Sequence, residues 1–265
     1  MINIATIVCV MGDEAYFKMA SVSIPCFLKN NTSANLFVFT DDVDRMNKLR
    51  NTITDEFHVV DMLKLHRGHE SIVKDLLKKG CSEEFAKKHA ERYGHFHKQI
   101  FVTSLIPIVE DFFKSKEYSH ILKIDVDSYF AGGDMMLLVK KEIQKFPEFD
   151  LFLVERTHDL MCLYGGGQPG TGFVLWKKGS NFASRYIERF TDGFQRTILM
   201  LKNEHLVHTK ILTRPGYHFV YPFTRANVMN REFTKEIASE FLPAYFHLSR
   251  HVIFEHMETM KGWFG

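Results

Sequence analysis

Residues 119–134 read SHILKIDVDSYFAGGD: an apolar run that enters Asp125, Val126 and Asp127 and is followed by a Gly-Gly-Asp turn. The aliphatic and β-branched residues of 121–124 predict a buried strand. In an open α/β sheet ligands gather outside the carboxyl ends of the strands, so the two acids leave the core where a ligand would sit. If extended geometry continues through them, residues i and i+2 point the same way. Two aligned carboxylates repel each other unless a cation lies between them, and oxygen donors with room for water and phosphate suit Mg2+ or Mn2+. A solvated strand terminus is the plainer alternative for a bare Asp-x-Asp. Gly132 and Gly133 let the chain turn away, and Asp134 stands where it would cap the next helix.

Before this stretch the pattern is strand, helix, strand, helix from the start. Residues 2–10 (INIATIVCV) form a short β-branched run, 12–31 carry apolar positions at helical spacing, 35–42 (NLFVFTDD) make a strand ending in acids, and 43–57 a second helix. That alternation predicts a parallel sheet covered by helices, a doubly wound arrangement. Residues 98–113 repeat Phe101, Leu105, Val109 and Phe113 at helical spacing around Pro107. After the acids, 135–146 reads as helix, 149–156 as strand, and 164–176 (YGGGQPGTGFVLW) as a glycine-rich loop entering a strand. Residues 181–194 and 195–212 read as helices, followed by the apolar segments 217–223 and 244–248, with a polar helix at 230–241 between them.

At 265 residues, with 45% hydrophobic residues, the chain can bury one large core, and a single domain is expected. Lysine plus arginine is 34 and aspartate plus glutamate 32, so a formal charge of +2 gives no reason to expect a nucleic-acid partner. The basic amphipathic segment 68–92 is a solvated helical face, with contact to phosphates or an anionic membrane surface as the sharper alternative. The four cysteines contain no Cys-x-x-Cys pair, which argues against a disulfide framework or structural zinc. With no basic leader and no membrane-length apolar run, a soluble cytoplasmic protein is expected.

The segment ILKIDVDSYFAGGDMMLL resembles the Asp-x-Asp region of GT-A-fold glycosyltransferases, most closely glycosyltransferase family 8. That resemblance implies a GT-A (Rossmann-like) α/β fold with a mixed, mostly parallel central sheet and helices on both faces. It also implies a nucleotide-binding half over 1–130 and an acceptor-binding half over 131–265. VCVMGDEAYFKMASVSIPCFLKNN is similar to the family's first strand and helix, which places Val10, Asp13 and Tyr16 at the nucleotide. Asp41 is the alternative to Asp13 for accepting a hydrogen bond from a uracil imide, and Asp125 and Val126 complete that set. Lys98 stands nearest the family's arginine that contacts the donor. GTGFVLWKKGS is similar to an Asn-Ala-Gly strand, with Thr171 in place of asparagine. KNEHLVHTKIL is similar to an Asp-Gln-Asp helix start, which makes Asn203 and Glu204 the matching positions. AYFHLSRH resembles the segment whose histidine completes the metal site, which points to His247 beside Asp125 and Asp127, with Arg250 for the diphosphate.

The resemblance therefore implies transfer of a sugar from a nucleotide-sugar, a UDP-sugar first, to a glycan, lipid-linked or protein hydroxyl, dependent on Mn2+ or Mg2+. Retention is favoured, although Glu155, Asp192 and Glu204 are all available as the base an inverting reaction needs. Three alternatives stand beside it: a phosphatase with an aspartate nucleophile, a nucleotidyltransferase, and a sugar-binding or scaffold protein on a degenerate transferase fold.

Overall fold

The computed structural model describes residues 2–12, 14–53, 56–65, 105–130, 134–155, 169–189, 194–212, 219–220 and 245–247, with isolated positions between 74 and 86. Strand β1 (Ile4–Val10) is buried at every position, as expected of a central strand covered on both faces. Helix α1 (Glu14–Asn30) follows, with Glu14 in its first turn and Lys29 in its last, each the right sign for the helix dipole. Strand β2 (Asn35–Thr40) leads to α2 (Val43–Arg50), whose first turn is capped by Asp42 Oδ1 accepting from the Arg45 amide at 3.0 Å. Strand β3 (His58–Asp61) and the short α3 (Met62–Leu65) come next.

The chain resumes with α4 (Leu105–Phe113), β4 (His120–Ile124), β5 (Ser128–Phe130) and α5 (Met135–Lys145). Asp134 does cap α5: its side chain accepts from the Leu137 amide at 3.0 Å. Strands β6 (Leu151–Glu155) and β7 (Pro169–Lys177), helices α6 (Phe182–Glu188) and α7 (Phe194–Asn203), and strands β8 (Thr209–Leu212), β9 (Phe219–Val220) and β10 (Tyr245–His247) complete the described elements.

Seven strands form one sheet in the order β3-β2-β1-β4-β7-β6-β8. All neighbours pair in parallel except on either side of β7, which runs opposite to β4 and β6. Alternation along the strands divides the core in two. Val8, Val10, Leu36, Val38, Leu122 and Ile124 face α1, α2 and α5. Ala5, Ile7, Cys9, Phe37, Ile121 and Val174 face α4, α6 and α7. The expected mixed, mostly parallel sheet with helices on both faces is what the chain forms. A second sheet, β5-β10-β9, sits beside the end of β4.

Three expectations are corrected. The second helix stops at Arg50 rather than 57: the Asn51 and Thr52 amides bond back to Asn47 and Leu49, and the β-branched pair Val59-Val60 then adds β3 beside β2. The helix read over 195–212 ends at Asn203. His205 takes a left-handed conformation (φ 54°), the Leu206 amide donates to Leu201 O at 3.0 Å and the His205 amide to Lys202 O at 3.1 Å. That is a Schellman stop with histidine where glycine is usual, and it frees 209–212 to pair with β6 as β8. Finally, Asp125-Val126-Asp127 is not extended. The Asp125 amide still bonds to Gly172 O on β7 at 2.9 Å, but the Ser128 amide donates to Asp125 O at 3.1 Å and closes a turn.

Candidate functional site

Strand order reverses between β1 and β4, since β2 and β3 lie on one side of β1 and β4 on the other. A crevice opens at the carboxyl ends of strands at such a switch point. Three loops meet there: the one after β1 with Val10, Met11 and Gly12, the one after β2 with Asp41, and the Asp125–Ser128 turn after β4. Gly12 has φ 99°, a conformation that a Cβ would disfavour, and its amide donates to Asp41 Oδ2 at 3.1 Å. Asp41 thus holds the β1 loop in place with one oxygen. Val10 is buried beneath the crevice, and Tyr16, in the first turn of α1, packs half-buried against the core layer of that helix. The start of α1 is tied to α2 by the Glu14–Arg45 ion pair at 2.6 Å, with the Arg45 guanidinium 4.4 Å above the Phe17 ring. That guanidinium holds the Glu14 carboxyl below its usual range.

In the Asp125 turn, Val126 is buried and anchors the loop to the core, while Asp125 and Asp127 are half-buried. The same-face pair set by extended geometry is not Asp125 with Asp127. It is Lys123 with Asp125: Lys123 Nζ donates to Asp125 Oδ1 in an ion pair whose lysine side chain is only 3% exposed and whose aspartate is 25% exposed. The ammonium also lies 5.2 Å from the centroid of Phe194, the first residue of α7. Sequence reasoning passed over Lys123; its signal was a lysine inside an apolar strand two residues before an acid. Cys9, buried nearby on the same face, has its thiol pushed up to about 12 by burial, against the lowering influence of Lys123 and with that of Asp125 added. Such a thiol is neither nucleophile nor ready metal ligand.

The backbone of His247 pairs with Ser128 in the antiparallel β5/β10 register, which sets residue 247 beside the acidic turn. The Ser128 hydroxyl is buried without a hydrogen-bond partner among the described residues. Glu155 closes β6 at the same edge of the sheet as Asp125, two strands away across β7, or about 10 Å at the usual strand spacing. Asn203 and Glu204 are not brought to this edge. α7 runs from Phe194 near Lys123 to its exposed end at Asn203, about 15 Å away by helix rise. The segment then feeds the amino end of β8, where Asp150 and Leu151 amides bond to His208 O. These two residues end a helix rather than start one. Asp13, Lys98, Arg250, Asp192, the basic segment 87–92 and the polar 230–241 segment lie outside the described residues.

Among the described residues no group of three or more His, Cys, Asp or Glu is placed to hold a metal ion. The donor chemistry nonetheless fits a hard divalent cation. Asp125 and Asp127 are half-buried carboxylates at the crevice, and Mg2+ or Mn2+ needs only one or two such groups when water and phosphate supply the rest. No helix among the described residues is long and apolar enough to cross a membrane.

No protein-family model matches the sequence, and no curated protein matches it. Solved structures do. Mouse xyloside xylosyltransferase 1 superposes with a TM-score of 0.59 over 93% of this chain and 97% of its own, at 12% identity. The fold is the GT-A glycosyltransferase fold. WbbM, a bifunctional glycosyltransferase, superposes with a TM-score of 0.52 at 11% identity over 92% of this chain, which spans 45% of WbbM. At these identities the likeness is one of fold.

Proposed function

We propose that this chain is a divalent-metal-dependent glycosyltransferase, moving a hexosyl or pentosyl group from a UDP-sugar to a hydroxyl of a glycan, lipid-linked or protein acceptor, with retention of configuration. The observation that supports it is the coincidence of an acidic turn with the β1/β4 switch point of a sheet built like those of glycosyltransferases. In this reading residues 1–130 form the nucleotide half. The loop after Val10 and the Tyr16 ring receive the base and ribose, and Asp13, Lys98 and Arg250 complete the donor site. Asp127 and the outer oxygen of Asp125 hold Mn2+ or Mg2+, with His247 as the third ligand from β10. When bound, the metal neutralises the charge that develops on the leaving diphosphate. Residues 131–265 form the acceptor half. Glu155, at the carboxyl edge beyond β7, orients the acceptor hydroxyl there, and in a retaining reaction the departing phosphate takes its proton.

Calorimetric titration of UDP and GDP with and without Mn2+, on wild type and Asp127→Asn, tests this reading. The Asn variant leaves the Lys123–Asp125 pair intact. Metal-dependent UDP binding weakened at least tenfold in the variant is expected, and no nucleotide binding under any metal condition refutes it. A nucleotide- or sugar-binding module without turnover is the second reading. It is favoured by one observation, that Lys123 already neutralises Asp125. Slow hydrolysis of UDP-sugars by the wild type separates the two, because only a transferase leaks its donor to water.

A further inference from the structure

Lys123 stands where this sheet has no use for a charge. Its register neighbours are Ile7 on β1 and Val174 on β7. The layer on that face is built from Ala5, Ile7, Cys9, Ile121 and Val174. Burying an ammonium there carries a heavy desolvation cost, and an apolar residue of similar volume is usually neutral or better for stability. The side chain is nevertheless directed along the strand to the carboxyl edge, where Asp125 Oδ1 and the face of Phe194 hold it. The Asp125 carboxylate thus bridges two environments: one oxygen bound to a cation that the core cannot release, the residue still a quarter exposed at the crevice.

We infer that Lys123 is a positioning residue that sets the cation affinity of the acidic turn. Its charge, paired with Asp125, opposes a dication at the same carboxylate, so the turn holds a divalent cation weakly alone and firmly only when a nucleoside diphosphate brings further oxygen donors. The inference rests on the proposed reading of the turn as a cation site. A dication and an ammonium on opposite oxygens of one carboxylate lie roughly 6 Å apart, and their repulsion amounts to about tenfold in affinity even with the screening of bulk water.

The test is Mn2+ binding to the nucleotide-free chain, measured as free Mn2+ by electron paramagnetic resonance and by calorimetry. Lys123→Met and Lys123→Gln, two neutral side chains of different shape, are each expected to bind Mn2+ about tenfold more tightly than wild type. Adding Asp127→Asn is expected to remove that gain. Unchanged affinity in either folded variant overturns the inference and leaves the cation site standing. Nucleotide-free wild type that binds Mn2+ as tightly as it does with UDP present overturns it without any variant. No Mn2+ binding by any of these proteins, with UDP present or absent, overturns both this inference and the proposed function.

Discussion

Replacing Asp125 by alanine removes an ion-pair partner of a lysine that is almost wholly buried, and the consequence is one of stability before it is one of chemistry. The backbone hydrogen bonds of the turn, Asp125 amide to Gly172 O and Ser128 amide to Asp125 O, do not need the carboxylate. Lys123 does, because its side chain is only 3% exposed and lies against the apolar layer between the sheet and α4, α6 and α7. Removing one member of a buried ion pair costs about 3–5 kcal/mol. The partial exposure of Asp125 lets water reach the vacated space, which places the loss at the lower end, about 3 kcal/mol, or a fall in Tm of roughly 6–12 °C for a chain of this size. Asp127→Ala, which leaves the Lys123–Asp125 pair in place, is expected to cost less, under about 1 kcal/mol. Urea unfolding followed by circular dichroism, without nucleotide or divalent metal, measures both. Lys123→Met combined with Asp125→Ala is expected to recover most of the loss, since the cavity layer is apolar. Equal stability of the two single alanine variants, or a double variant no more stable than Asp125→Ala, would refute the reasoning. If the prediction holds, lost activity in Asp125→Ala alone says nothing about metal ligation.

Other outcomes follow from single positions. His205→Gly relieves the left-handed conformation at the end of α7 and is expected to stabilise the protein by about 0.5–1 kcal/mol in the same unfolding assay. Burial, reinforced by the charge of Lys177, pushes the His120 imidazole down from its ordinary 6.5 to about 4. Between those values the unfolded chain binds a proton that the folded chain does not, so stability falls as pH drops through that window and levels off below it. Thermal melts at pH 7 and pH 4.5 are expected to show this fall, and His120→Asn to flatten it. Gly12→Ala puts a Cβ on a residue at φ 99°. It is expected to cost about 1–2 kcal/mol and, by shifting the loop tied to Asp41, to weaken UDP binding in calorimetry.

The amino-terminal half was legible because its signals are local and redundant. Residues 4–10 and 35–40 are unbroken apolar strands, α1 carries its period over several turns, and Asp134 is a capping residue directly before an apolar helix. What failed was of two kinds. Helix ends were overrun where the stop lies in a backbone conformation rather than a residue type, as at His205, and where a four-residue strand such as β3 is too short to show a period. The reversed direction of β7 is a matter of partners distant in sequence, which no local pattern records. In the site, the carboxyl-edge placement of Val10, Asp41, Asp125 and Glu155 could be read from strand ends alone. The orientation of Asp125 against Asp127 could not, because the period of two was applied one step too far along the chain. Applied to Lys123 and Asp125, where the backbone is still extended, it gives the pair that the structure contains.

The pairing of β10 with β5 has a consequence in time. Residues 128–130 meet residues 245–247, over a hundred positions later in the chain, while β1 finds its neighbour β2 across a single helix. Closing the longer loop carries the larger entropic cost and comes late. During synthesis β1 and β2 are therefore paired well before the acidic turn acquires its flanking wall. An emerging chain passes through a stage in which its scaffold is built but its charged edge is open to water. Pulse-labelled amide exchange would register that order as early protection in β1 and late protection in β5.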